Sequence, residues 1–144
     1  MGTGKNASSK KGKRVLIAAI CVVVVAVLAF GLWYFIVFND YKKDVAAIRV
    51  QSIDLTTVKD GEYYGDCDVG LVGVKVRVVV KGGTIADLEL VEHKNGRGES
   101  AEVLTERIIK EQRIDVDGVT GATASSNVIR EAVYNALTGE RTIP

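Results

Sequence analysis

The residues best placed to do chemistry lie in one stretch, "DGVTGATASSN" (Asp117 to Asn127), which runs into an apolar pattern at helical spacing. Gly118 and Gly121 let the backbone turn or approach a ligand closely. Thr120, Thr123, Ser125 and Ser126 bring hydroxyls to the point where the first N–H groups of the following helix lack intrahelical partners. Serine and threonine are ordinary N-cap residues, so on residue types alone a turn and a cap account for the stretch. The alternative is an anion, phosphate above all. Those donors and the positive end of the helix dipole would hold it, the dipole contributing about 0.3–1 kcal/mol at an exposed site.

Other constellations fail. His93 is the single histidine, which leaves no two-histidine metal site and no serine–histidine relay with a spare base. The chain lacks G-x-x-x-x-G-K-[ST], G-x-G-x-x-G and C-x-x-C-H. "GRG" (Gly96 to Gly98) lacks a third glycine. No metal ligand and no catalytic residue can be named. Cys21 and Cys67 lie in different segments and cannot build a disulfide framework, and Cys67 reads as a small buried apolar residue.

Elements must place the hydroxyl-rich stretch. Val128, Ile129, Ala132, Val133, Ala136 and Leu137 recur at helical spacing after it, and Gly139 is a natural stop. Upstream, Val74, Val76, Val78 and Val80 alternate with Lys75, Arg77 and Lys81, the pattern of a half-buried strand. Gly82-Gly83 is a two-residue hairpin signal, and a second strand follows from Thr84 to about Glu92. "DGEYYG" (Asp60 to Gly65) opens with a turn and two β-favouring aromatics. His93 to Ser100 reads as a loop, and Ala101 to Gln112 as a helix with Leu104, Ile108 and Ile109 inward. The expectation is an α+β domain, an antiparallel sheet with packed helices.

The net charge of +1 hides segregation. Residues 1–14 hold Lys5, Lys10, Lys11, Lys13 and Arg14 and no acid, and 15–38 hold no charge at all. From Val45 onward, 12 Lys and Arg face 16 Asp and Glu, a net of −4. As a helix, 15–38 would be about 36 Å long, enough to cross a hydrocarbon core of about 30 Å. A cleaved signal is shorter and ends in a small-residue site, whereas this run ends in "WYFIVFND", with Trp33 and Tyr34 where the membrane–water boundary would fall. The expected organisation is a cytoplasmic basic arm (1–14), a single-pass anchor in membrane lipid (15–38), a stalk (39–52) and an extracytoplasmic domain (53–144), oriented by the positive-inside rule. A net acidic outer domain across the membrane from the genome excludes nucleic acid.

"DGVTGATASS" resembles the flavinylation motif D-G-x-[ST]-G-A-T-x-[ST]-S of the FMN-binding domain family, to which FMN-carrying subunits of sodium-pumping quinone reductases and Rnf complexes belong. "DGEYYG", "VKVRVVVKGGTIADLELVEHKNGRG" and "VIREAVYNAL" resemble, in order, that family's opening, its hairpin with the following loop, and its closing helix. The resemblance implies FMN linked through its phosphate to the Thr123 hydroxyl by a separate FAD-dependent FMN transferase. Asp117, Gly118, Thr120, Gly121, Ala122, Ser125 and Ser126 match the rest of the motif. His93 would then lie near the flavin or hydrogen-bond the following loop. Asn95, Gly96 and Gly98 would line the ring or form a plain loop.

The function implied is electron transfer. An anchored carrier would take electrons from a membrane dehydrogenase or other quinone-linked donor and pass them to an extracytoplasmic acceptor. A binding or redox-sensing module without carrier turnover is the second reading, and a stand-alone enzyme reducing a small substrate the third.

Overall fold

The computed structural model describes residues 7–49, 51–94 and 98–139, with 7–11 as backbone only; Asn95 and Gly96 lie outside the described residues. The chain divides into two compact units, residues 1–40 and 41–144. Helix α1 (Ala7–Ala47) fills the described part of the first unit and continues into the second. Its stretch Gly12–Ala47, with an 18-residue window of mean hydropathy 3.2, is long and apolar enough to cross a membrane. The large apolar side chains from Val15 to Phe35 all face outward. A hydrocarbon solvent favours such a surface and water does not.

In the second unit three antiparallel strands stand in the order β1 (Gly61–Asp68), β2 (Gly73–Lys81), β3 (Thr84–Lys94). An α+β fold results, with helices α2 (Leu104–Glu111) and α3 (Thr123–Thr138) and the sheet sharing one core. The valine alternation holds: Val74, Val76, Val78 and Val80 are buried, while Lys75 and Lys81 are exposed. Gly82 and Gly83 turn the hairpin with φ of 59° and 71°, values open to glycine at little cost. Asp60 accepts the Gly82 N–H at 2.7 Å and ties the start of β1 to that turn.

Two departures from the expected pattern matter. β3 runs on to Lys94, past the predicted end at Glu92, and its register against β2 shifts at Lys75/Val76 and Val79/Val80. The extra residues, Val91 and Ala86, upset simple alternation, and Val91 is thrown outward, 57% exposed. The helix predicted over Ala101 to Gln112 begins as a 3-10 segment (Glu99–Val103) and becomes α-helical only at Leu104. Leu104 and Ile108 point inward as expected, with Ile109 partly buried beside them.

α2 ends at Gln112, which takes a left-handed φ of 53°. Its side-chain amide behaves like a peptide group. Nε2 donates to the carbonyl of Ile85 at 2.9 Å, and Oε1 accepts the Ile85 N–H at 2.7 Å. Ile114 and Val116, fully buried, then carry the chain beneath α3 to the glycine-rich loop.

α3 lies almost directly on β1. A Cβ on Gly65 would sit 2.3 Å from the Ala132 carbonyl oxygen and 2.4 Å from the Ala136 nitrogen. Only hydrogen fits there. We therefore expect Gly65→Ala to destabilise the domain by about 3 kcal/mol or more, read from urea unfolding, because helix backbone cannot rotate out of the way as a side chain can.

Cys67, also on the inner face of β1, is buried, and burial foremost, then the charge of Glu131, pushes its thiol pKa up to about 12. The folded state thus keeps a proton that the unfolded thiol releases near pH 9. This contribution is fully present below pH 9 and is lost as pH rises toward about 12. Denaturation curves across that window should show an alkaline loss of stability that Cys67→Ala reduces.

Candidate functional site

The loop before α3 is built from the inside out. Arg130, one turn after Ser126 on α3, donates Nη1 to the Val116 carbonyl at 2.8 Å, Nε to the Ser126 carbonyl at 3.2 Å and Nη2 to Asn127 Oδ1 at 2.6 Å. Its burial lowers the guanidinium pKa from the ordinary value, an effect opposed by the charges of Asp117 and Asp115. Arg107 on α2 donates to the Asp117 carbonyl at 3.1 Å. Two arginines from two helices therefore hold consecutive peptide groups. Gly118 sits against them, since a Cβ there would come within 3.3 Å of Arg130 Nη2 and of Ser126 Cβ.

Ser126 is the inner latch. Its hydroxyl accepts the Val119 N–H at 3.0 Å and donates to the Ala122 carbonyl at 2.9 Å. The Ala122 N–H closes the turn on the Val119 carbonyl at 3.0 Å, and Gly121, φ 83°, supplies the left-handed step. The hydroxyls are thus sorted: Ser125 and Ser126 are buried, whereas Thr120 and Thr123 face solvent.

The ordinary cap expected from residue types is not what forms. The N-cap position is Ala122, and no side chain caps the helix. Among the described residues the N–H groups of Thr123, Ala124 and Ser125 have no hydrogen-bond partner, nor does the Thr123 hydroxyl. Thr123 is the first residue of α3. An exposed hydroxyl beside three free N–H donors and a helix dipole suits a phosphate.

The sheet carries the second group of residues. Ala132 and Ala136 of α3 cover Gly65 of β1, and Asn135 Nδ2 donates to the Asp66 carbonyl at 3.0 Å. His93 pairs with Val74, and Val74 with Cys67, so the three share the inner face. The His93 side chain is 5% exposed, and its Nδ1 lies 2.8 Å from Glu102 Oε1. A carboxylate there selects the Nδ1–H tautomer in the neutral ring. This bond joins β3 to the 3-10 segment, which Gly98 begins from a buried position. His93 Nε2 is buried without a partner, as is Oε1 of Glu131 on α3.

Sequence reasoning missed Arg107, Arg130, Asn135 and Glu131. Glu131 alone left a trace: an acid between Val128 and Ala132, inside an otherwise apolar arc. The latch gives a direct test. Ser126→Ala should lower stability by about 1–3 kcal/mol in thermal melts, and speed hydrogen exchange at the Val119 amide, because that N–H is left without its acceptor.

No curated protein matches the chain. Residues 70–138, from the turn after β1 to the last residue of α3, match the sequence model of the FMN-binding domain family. The buried orphan atoms and the donor-rich start of α3 are features a flavin phosphate and ring can satisfy, and by this match residues 70–138 carry an FMN-binding domain.

Proposed function

We propose that the chain is a membrane-anchored, extracytoplasmic flavoprotein that carries FMN phosphoester-linked to Thr123 and passes electrons from a membrane donor to an extracytoplasmic acceptor. The observation that carries this reading is the Thr123 hydroxyl: exposed, without a partner among the described residues, and placed beside three free backbone N–H groups inside the matched domain.

The chain's own residues have separable tasks. Thr123 Oγ is the nucleophile toward the FMN-side phosphorus of FAD; the ester forms as the anhydride breaks and AMP leaves. Among the described residues no base contacts that hydroxyl, and its proton passes to the transferase or to water. The N–H groups of Thr123, Ala124 and Ser125 face the remaining phosphate charge. Gly121 and Ala122 keep the approach to Thr123 free of bulk, while Ser126 and Arg130 hold the loop in shape. His93, fixed by Glu102, keeps a buried Nε2 without a partner among the described residues. When bound, a flavin exchanges one or two electrons and so joins two-electron donors to one-electron acceptors.

Covalent attachment suits a domain outside the cell, where a dissociated cofactor would be diluted away. The basic residues 1–14 and the apolar run after them support a cytoplasmic start and an outer domain. The anchor would keep the flavin at the membrane surface, near quinone-linked donors.

Co-expression with an FMN transferase, followed by denaturing electrophoresis, tests the assignment. Wild type should give a band fluorescent for flavin, and Thr123→Ala a dark band with an unchanged melting temperature before labelling. A fluorescent Thr123→Ala band would overturn the attachment site.

A further inference from the structure

His93 Nε2 and Glu131 Oε1 are buried side-chain atoms with no hydrogen-bond partner among the described residues. Both side chains lie well inside: His93's is 5% exposed, and Glu131 is 1% exposed. Neither takes part in holding the loop from Asp115 to Ala122. An unpartnered buried polar group destabilises the fold that contains it, so its retention calls for a use.

Their placement suggests one. Register puts His93, Val74 and Cys67 in a row across the inner face of the sheet. Glu131, on α3, comes ahead of Asp66 and Asp68 among the acids whose charge raises the Cys67 pKa. It stands two turns, about 12 Å, along α3 from Thr123. That separation is within the reach of a ribityl chain and a three-ring system attached at Thr123. In the tautomer selected by Glu102, His93 Nε2 is an acceptor, and a carboxyl oxygen is one too. Two buried acceptors call for a ligand with N–H or O–H donors. The isoalloxazine has such a donor on its pyrimidine edge, an imide N–H between two carbonyls, and the ribityl chain carries hydroxyls.

We propose that Glu131 is a flavin-recognition residue: its Oε1 accepts the imide N–H of the ring carried on Thr123, and His93 Nε2 takes a second donor of the same group. The proposal rests on the reading that FMN is held at Thr123. It extends that site from an attachment point to an inner wall that fixes the ring.

A thermal cycle on the full chain tests it. Wild type, Glu131→Leu and Glu131→Gln are each melted without label and after labelling by an FMN transferase, with gel fluorescence reporting attachment separately. In the unlabelled chain, Glu131→Leu removes an unpartnered carboxyl from an apolar setting, and the melting temperature should rise by about 4–8 °C. In the labelled protein the gain should vanish or change sign, since the carboxyl there has its partner. Glu131→Gln keeps the shape of the side chain and should show the same reversal at smaller amplitude, which covers the case in which leucine disturbs packing. Equal shifts in labelled and unlabelled protein, with a fluorescent band present, would overturn the role of Glu131 and leave Thr123 standing. A dark wild-type band would overturn both.

Discussion

The contact on which the domain depends is backbone against backbone: α3 laid on Gly65 of β1 with no side chain between them. Close approach fixes the height of the helix above the sheet, and the bond from Asn135 to the Asp66 carbonyl fixes its position along the strand. Everything at the functional end follows from that. The first turn of α3 is set by that seat, and its N–H groups have no partner among the described residues. A bulkier residue at position 65 would move the helix start and the loop together.

A second constraint is the division of labour among hydroxyls and arginines. The loop is held by Ser126, Arg107 and Arg130 through main-chain groups of Val116, Asp117, Val119 and Ala122. None of those bonds passes through Thr123. The residue proposed to react is thus free of structural duty, and the residues with structural duty are buried or partly buried. Burial of the supporting side chains keeps water from competing for their hydrogen bonds.

Much of this was legible in the residues, and the reasons are specific. Val74, Val76, Val78 and Val80 take every second position and are buried, the period of a strand. Val128 to Leu137 recur every three to four residues and are buried in the helix they predict. Gly82-Gly83 announced a turn that needs positive φ. The bulges of β3 were hidden because a bulge is a mismatch between two strands, and neither strand shows it alone. The 3-10 start before α2 was hidden because its acids and alanine suit either helix. At the site, Thr123 was marked by its motif, whereas the main-chain contacts of Arg130 and the burial of Glu131 emerge only once the helix is placed against its neighbours.

A three-stranded sheet has two open edges, and each is a row of donors and acceptors on which another chain could add a strand. Here a primary amide stands at each. Gln112 meets both the N–H and the carbonyl of Ile85 on β3, and Asn135 meets the carbonyl of Asp66 on β1. Both amides come from helices of the same domain, so folding itself blocks the template at those points. The same two contacts keep neighbouring sheets from zipping into one another there.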